Sequence, residues 1–372
     1  MTNIKKELKI AILGSRGIPG NYGGFETFAE RLSVALAKKG YKVSVYCSSA
    51  YSKINNKYFQ GVKRIIIPTI PKKSIDKPLS SLLACCHLIF SDTDICLFLG
   101  VSPVLFSFLP RLFGKRLAVN IDGLEWKRKK WGRVASFYLK FSEKLAGIFC
   151  HEVVVDSMAI KEYYEKAYKK NANFIAYGTE IVNYQDTNTL AKYGLEKEGY
   201  ILQVCRLEPE NNTHIVIREF ERVKTNLKLA IVGDAPYSGE YVKSLKKTKD
   251  PRIKFLGAIY GYDYKVLQSN AYCYIHAHEV GGTNPALLEA MGVGNCVIVL
   301  DVPFNLEVIG KAGFSFSKKE GDLAYKLQYL IDNPKIVKEY RQKAVKRVKE
   351  NYNWDSIINQ YESLFIRMAN KK

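Results

Sequence analysis

The stretch His276-Ala-His-Glu-Val-Gly-Gly-Thr-Asn-Pro-Ala-Leu-Leu-Glu-Ala-Met-Gly-Val-Gly-Asn-Cys-Val-Ile-Val-Leu300 reads as a strand end, a glycine turn, a helix and a second strand. Val297–Leu300 is an unbroken apolar run, the pattern of a parallel strand covered on both faces. Pro285 suits the first helical position, where a missing N–H costs nothing, and Asn284 before it suits the cap. The helix therefore starts where a strand's carboxyl end opens, and its free N–H groups make a natural seat for a diphosphate. Glu289 lies a little over one turn further on. It could accept hydrogen bonds from nucleotide hydroxyls, or simply pair with a lysine on the helix face.

Working outward, the same alternation fills the chain. Strands are expected at Lys9–Leu13, Lys42–Cys47, Val62–Pro68, Asp94–Gly100, Arg116–Ile121 and Glu152–Asp156. Phe25, Phe28, Leu32 and Leu36 recur at helical spacing, and so does the apolar pattern of Arg133–Ala146. The rhythm restarts with strands at Tyr200–Cys205, Lys228–Val232, Arg252–Leu256, Ala271–His276 and Cys296–Leu300. Two runs of strand–helix alternation predict an α/β protein of two Rossmann-like, doubly wound domains. The polar stretch Gly178–Gly199 suggests the hinge, giving a first domain at 1–185 and a second at 186–350. The helical tract Pro334–Met368 breaks near Asn351–Trp354, and residues 351–372 are expected to return to the first domain.

Composition bounds the rest. At 372 residues, with 47% hydrophobic and 25% charged content, each half can bury a core. No stretch reaches the roughly 18 apolar residues of a membrane span; Ser80–Phe90 and Ser102–Phe113 are both interrupted. The charged N-terminus runs directly into a strand, unlike a signal peptide. Cytoplasmic residence is expected, with peripheral attachment to the inner face of the plasma membrane left open. Eight cysteines without C-x-x-C spacing read as small core residues in a reducing compartment. A net charge of +21 favours anionic partners: nucleic acid, a lipid surface or phosphorylated substrates. No nucleic-acid-binding module is recognisable, so no nucleic-acid partner is expected.

The loop Gly14-Ser-Arg-Gly-Ile-Pro-Gly-Asn-Tyr-Gly-Gly-Phe-Glu26 follows the first strand and enters a helix. Its glycines, Gly23 and Gly24 among them, could let the backbone approach an anion at the helix start; a purely structural loop is the alternative. The dinucleotide fingerprint fails on spacing and on the absence of a carboxylate after the second strand. The Walker pattern fails for want of Gly-Lys-Ser/Thr.

Asn120-Ile-Asp-Gly-Leu-Glu-Trp-Lys-Arg-Lys-Lys-Trp131 leaves a strand with two carboxylates, four cations and two tryptophans. Asp122, with Glu125 second, is the candidate to orient or activate an acceptor hydroxyl. Trp126 offers a ring to a sugar, and Lys127 a charge to a diphosphate or headgroup. Asp156 ends another strand at the same level, as a second acceptor-side group or a helix cap. His276, His278 and Glu279 lack a further ligand at metal spacing, so no metal is expected. Ser102–Lys115 reads either as a buried helix or as an interfacial patch.

Four blocks carry a family resemblance: residues 14–27, 122–128, 206–212 (Arg-Leu-Glu-Pro-Glu-Asn-Asn) and 281–291 (Gly-Gly-Thr-Asn-Pro-Ala-Leu-Leu-Glu-Ala-Met). They resemble the glycosyltransferases of family four, of GT-B architecture with two domains facing a central cleft, and within them the bacterial rhamnosyltransferases of cell-surface polysaccharide synthesis. The resemblance implies a retaining transfer of L-rhamnose from dTDP-rhamnose to a sugar hydroxyl on a lipid-diphosphate-linked acceptor, without a metal or other cofactor. Another nucleotide sugar, UDP- or GDP-linked, is the alternative. An anionic membrane surface is a further candidate partner. The implied donor residues are Gly23, Gly24, Arg206, Asn211, Gly282, Thr283, Asn284 and Glu289, with Arg206 also catalytic beside Asp122 and Glu125. Two departures stand out. Gly281 occupies the first position of the family's Glu-x7-Glu pair, and Asn211 stands where its diphosphate lysine belongs.

Overall fold

The structure, a computed structural model, describes residues 8–20, 23–51, 56–70, 76–128, 131–235 and 239–370. It divides into two compact units, residues up to Tyr177 together with those from Trp354 onward, and Gly178–Asn353.

The first unit runs β1 (Lys9–Leu13), α1 (Gly24–Lys38), β2 (Lys42–Ser48), β3 (Tyr58–Phe59), β4 (Val62–Ile67), α2 (Asp76–Phe90), β5 (Ile95–Leu99), α3 (Phe108–Leu112), β6 (Arg116–Ile121), α4 (Arg133–Phe149), β7 (Glu152–Val155), α5 (Met158–Tyr168) and β8 (Asn173–Phe174). Its strands lie in the order β3-β4-β2-β1-β5-β6-β7-β8, and among the described residues only the β3–β4 pair is antiparallel. Every residue of β5 is buried, which is why the run Ile-Cys-Leu-Phe-Leu carries no polar alternation.

The second unit runs α6 (Thr187–Ala191), β9 (Tyr200–Val204), α7 (Thr213–Phe220), β10 (Lys228–Val232), α8 (Gly239–Leu245), β11 (Ile253–Gly257), α9 (Gly261–Ser269), β12 (Cys273–His276), α10 (Pro285–Gly292), β13 (Val297–Leu300), α11 (Pro303–Ile309), β14 (Phe314–Phe316), α12 (Asp322–Asp332) and α13 (Pro334–Asn351). Its sheet is parallel, in the order β11-β10-β9-β12-β13-β14. The chain then returns to the first unit as α14 (Trp354–Asn370).

Strand order reverses at β1, flanked by β2 and β5, and at β9, flanked by β10 and β12. Ligands of doubly wound sheets bind at the carboxyl ends beside such switch points. The glycine loop leaves β1, and Arg206 follows β9.

The unit boundary falls at 177/178 rather than 185/186, because the intervening residues bond into the second unit. Thr179 N–H donates to the Tyr352 carbonyl at 2.8 Å and Tyr184 N–H to the Ser269 hydroxyl at 3.1 Å. The Ser102–Lys115 segment is also not the buried helix that was one of its two readings. It forms a 3-10 turn at Ser102–Phe106 and the short α3; Pro103, Val104 and Pro110 are buried, while Phe108, Leu112 and Phe113 face solvent.

Helix α14 docks through aromatic rings. Tyr361 meets Phe28 of α1 at 5.2 Å between centroids, and Trp354 meets Tyr177 at 5.5 Å. The Tyr177 hydroxyl in turn donates to the Gly24 carbonyl in the first turn of α1. Glu362 accepts from Tyr41 at 2.9 Å and from Lys39 at 2.5 Å.

Candidate functional site

In the second unit, β9 and β12 are parallel neighbours with Gln203 opposite Ile275, so the loops that follow them share one edge. They are laced together. Glu279 N–H donates to the Glu210 carbonyl at 3.0 Å, and Asn212 Nδ2 donates to the Ala277 carbonyl at 2.9 Å. Around this edge, Gln203 Oε1, Glu210 Oε1, Asn305 Oδ1 and both ring nitrogens of His276 are buried without a hydrogen-bond partner among the described residues. Buried polar groups are nearly always satisfied, so such a concentration marks a place built for water or ligand. Burial lowers the His276 imidazole to about 3, keeping it neutral.

Arg206 extends from this edge into solvent, and no hydrogen bond or ion pair holds its guanidinium among the described residues. An uncommitted arginine at a strand's carboxyl end is suited to a phosphate. Asn211 serves otherwise. It is buried, and its Nδ2 donates to the Arg206 carbonyl at 2.6 Å, closing the 206–211 turn on itself. The amide thus shapes the turn that presents Arg206, and the diphosphate-gripping role expected from its position does not fit this geometry.

Asn284 caps α10, its Oδ1 accepting from Ala286 N–H at 3.0 Å, with Pro285 in the first turn. Gly282 and Thr283 are buried beneath the helix start. Gly281 has φ +153 and open space around its missing Cβ, so backbone conformation rather than crowding favours glycine there. Glu279, two residues earlier, is paired within the second unit. Its carboxylate accepts from Lys318 Nζ at 2.5 Å and from Asn212 Nδ2 at 3.4 Å. Glu289 accepts the Tyr264 hydroxyl at 2.7 Å, and Gln268 Nε2 donates to the same hydroxyl at 2.8 Å. Burial pushes the Glu289 carboxyl above its ordinary range despite that bond. Tyr264 and Lys318 carried no sequence signal, because the carboxylates they bond lie 25 and 39 residues away along the chain.

The rings of His276 and His278 stack face to face at 4.1 Å, 12° from parallel. Among the described residues no group of three or more His, Cys, Asp or Glu is arranged to hold a metal ion.

In the first unit the glycine loop packs on the protein itself. A Cβ at Gly14 would lie 2.3 Å from the Leu99 carbonyl oxygen, and one at Gly17 would lie 2.6 Å from Cys47 Cβ. The loop N–H groups of Arg16 and Gly20 are held by Glu26 at 2.8 Å and Glu30 at 2.6 Å, both from α1. Close approach is therefore to β5 and β2, which corrects the expectation that these glycines admit a ligand. Gly23, at φ +96, occupies the cap of α1, and Gly24 opens the helix. The Glu26 carboxylate already sits beside this helix start, where a Cβ at Gly23 would lie 2.6 Å from its Oε2.

Asp122 and Asp156 are brought to one level. Ile121 pairs with Val155, and each aspartate is the next residue at its strand's carboxyl end. Asp122 is half-buried and Asp156 buried. Ser157, which follows Asp156, occupies the cap position of α5 and makes no side-chain cap bond. Glu125 is committed elsewhere. Its two oxygens bind Arg128 Nε at 2.7 Å and Trp131 Nε1 at 3.1 Å, which pins the segment. Trp126 packs against the core with Lys140 Nζ 4.7 Å and Lys127 Nζ 5.5 Å from its ring centre. The sugar platform expected of it is taken up by the protein's own groups, while Lys127 itself is exposed.

Sequence reasoning also missed a pocket at the carboxyl ends of β1, β2 and β4, lined in part by Arg16, Asp76, Lys77, Ser80 and Ser102. Asp76 is buried with Oδ1 unpartnered among the described residues, and burial raises its carboxyl pKa.

Residues 185–350 match the family described as "Glycosyl transferases group 1". The chain carries a group 1 glycosyltransferase domain. Residues 7–180 match a domain of unknown function (DUF1972). Over 98% of its length it is 23% identical to an uncharacterized glycosyltransferase of Methanocaldococcus jannaschii, covering all of that protein. It is 28% identical, over 47% of its length, to the O-antigen chain mannosyltransferase RfbU of Salmonella typhimurium, and spans about half (49%) of that relative. It is 26% identical, over 45% of its length and 48% of the relative's, to a Campylobacter jejuni N-acetylgalactosaminyltransferase whose name specifies a diphospho-undecaprenol saccharide. Among solved structures, sucrose-phosphate synthase of Thermosynechococcus elongatus superposes with a TM-score of 0.82 at 17% identity, covering 97% of this chain and 99% of that one. HepE of Anabaena in complex with UDP superposes at 0.78 and 16% identity, covering 97% and 100%. The fold is GT-B: two Rossmann-like units built on parallel sheets.

Proposed function

We propose that the protein transfers L-rhamnose from dTDP-L-rhamnose, with retention of configuration, to a sugar hydroxyl on a lipid-diphosphate-linked acceptor during cell-surface polysaccharide synthesis. The observation that carries the reading is the pairing, on one sheet edge, of an uncommitted Arg206 with a capped helix N-terminus and a single carboxylate, Glu289. Arg206 and the N–H groups at Thr283–Asn284 neutralise the leaving diphosphate, which removes the need for a metal ion. Glu289, aligned by Tyr264, takes the nucleotide sugar's hydroxyls. With Gly281 in place of a carboxylate, the sugar itself is held by fewer charged contacts, which suits a deoxy sugar.

In the first unit Asp122 orients the acceptor hydroxyl and Asp156 supports it from the next strand. Glu125 holds the segment in shape rather than reacting. Gly23–Gly24 at the start of α1 offers N–H groups to a phosphate, and Lys127 meets the acceptor's diphosphate. The relatives named for O-antigen chains and for a diphospho-undecaprenol saccharide support the pathway and the acceptor class.

A UDP- or GDP-linked donor is the second reading, favoured by the mannosyltransferase relatives and by HepE's complexes with UDP and UDP-glucose. Incubating the purified protein with dTDP-rhamnose and with UDP- and GDP-sugars, and following release of the nucleotide diphosphate, separates the two. Preferential turnover of dTDP-rhamnose is expected; equal or better use of a UDP- or GDP-sugar would remove the rhamnosyl assignment.

A further inference from the structure

We propose that the outward face of α4, continued by α3, docks the protein on an anionic lipid bilayer. Helix α4 buries Leu139, Ser142, Glu143 and Ala146 against the first unit. The opposite line of the helix, where a soluble helix carries its most polar residues, is apolar instead. Val134, Phe137, Phe141 and Ile148 fall at i, i+3, i+7 and i+14, a spacing that stacks them in one stripe. They are 85%, 73%, 45% and 56% exposed. The rings of Phe137 and Phe141 lie 6.3 Å apart and nearly parallel, presenting one continuous apolar surface.

Helix α3 extends that surface. Leu112 and Phe113 are 77% and 60% exposed. The two helices are fastened together: Arg111 donates to the Phe149 carbonyl at 2.9 Å, and Phe108 meets the Phe149 ring at 6.2 Å. Exposed apolar area of this kind on a folded unit marks an interaction surface.

Charge selects the occupant. Segments 102–115 and 131–150 carry Arg111, Lys115, Arg133, Lys140 and Lys144 against one acid, Glu143. That acid is buried and accepts from Tyr163 and Tyr168, so it projects no charge outward. Apolar side chains on segments whose outward charges are all basic suit the boundary between acyl chains and anionic headgroups. The same helix touches the acceptor-side segment, since Lys140 sits over Trp126. Docking on this face brings Trp126, which Lys140 covers, close to the lipid surface, where a lipid-linked substrate resides. The docking surface itself stands independently of the donor and acceptor assigned above, and its test reads binding rather than transfer.

The test is flotation of the full chain with vesicles of phosphatidylcholine alone and of equimolar phosphatidylcholine and phosphatidylglycerol. The wild-type protein should float with the anionic vesicles, less so at high salt, and Phe137→Ser with Phe141→Ser should lower the partition coefficient at least about tenfold. Both positions are solvent-facing, so circular dichroism and nucleotide release from the donor should be unchanged. Equal flotation of wild type and variant overturns the proposal. So does a wild-type protein that ignores vesicles but is dimeric by light scattering while the variant is monomeric, which would assign the face to a second copy of the chain.

Discussion

The Tyr264 hydroxyl donates to Glu289 across 2.7 Å, fixing the one carboxylate of α10. Because the folded-state pKa of Glu289 lies above its ordinary 4.5, the folded protein binds that proton more tightly than the unfolded chain. The resulting stabilisation is complete below the unfolded value and is lost as pH rises through the raised one. Glu289→Gln keeps an acceptor for Tyr264 but cannot titrate. Thermal melts from pH 4 to pH 8 should therefore show a smaller loss of stability on the alkaline side for the variant. Donor KM should rise roughly ten- to a hundredfold through the lost charge-assisted bond. An unchanged KM would separate Glu289 from the donor.

Among the described residues Arg206 makes no side-chain hydrogen bond or ion pair, so Arg206→Ala should leave the melting curve within about 0.5 kcal/mol of wild type. Turnover should fall by roughly two to three orders of magnitude if the guanidinium meets the leaving diphosphate. Normal turnover would exclude it. Steady-state kinetics and a thermal melt measured together distinguish this from misfolding.

Gly14→Ala places a Cβ 2.3 Å from the Leu99 carbonyl oxygen at φ +103. Neither strand can move without breaking the β1–β5 pairing, so a loss of about 3 kcal/mol or more is expected in urea titration. At Gly239 a Cβ meets nothing within 4 Å, so Gly239→Ala should be neutral or slightly stabilising.

Asn120 Nδ2 donates to the Tyr361 hydroxyl at 2.6 Å inside the first unit. Tyr361→Phe leaves that buried amide short of a partner and should cost roughly 1–3 kcal/mol. Truncation after Asn353 removes the whole helix and uncovers Phe28 and Tyr177. The truncated chain should aggregate, or melt far below the intact protein, in size-exclusion chromatography and calorimetry.

The alternation of β-branched runs with helical spacing was enough to reveal two parallel-sheet units, since period and burial are properties of neighbouring residues. Asn284, Pro285 and the helix they start were equally legible, because a cap is set within four residues of chain. Glu125 was misread for the converse reason. A carboxylate near a strand end looks available until its partners are known, and here Arg128 and Trp131 fold back onto it. Asn211, Trp126 and the glycines at 14 and 17 failed in the same way: their surroundings come from elements that the chain reaches only after folding.

Strand, turn and helix signals are local, so they sufficed to put Asp122, Asp156 and Arg206 just past strand ends and Glu289 on the helix after β12. Tertiary structure alone decided which of them remain uncommitted. Glu125 and Glu279 are paired by groups brought to them, Arg206 is left projecting into solvent, and Glu289 is aligned by a tyrosine from another helix. The distinction is physical: a side chain's position along the sheet follows from its own segment, but its hydrogen-bond partners and desolvation are set by packing between segments.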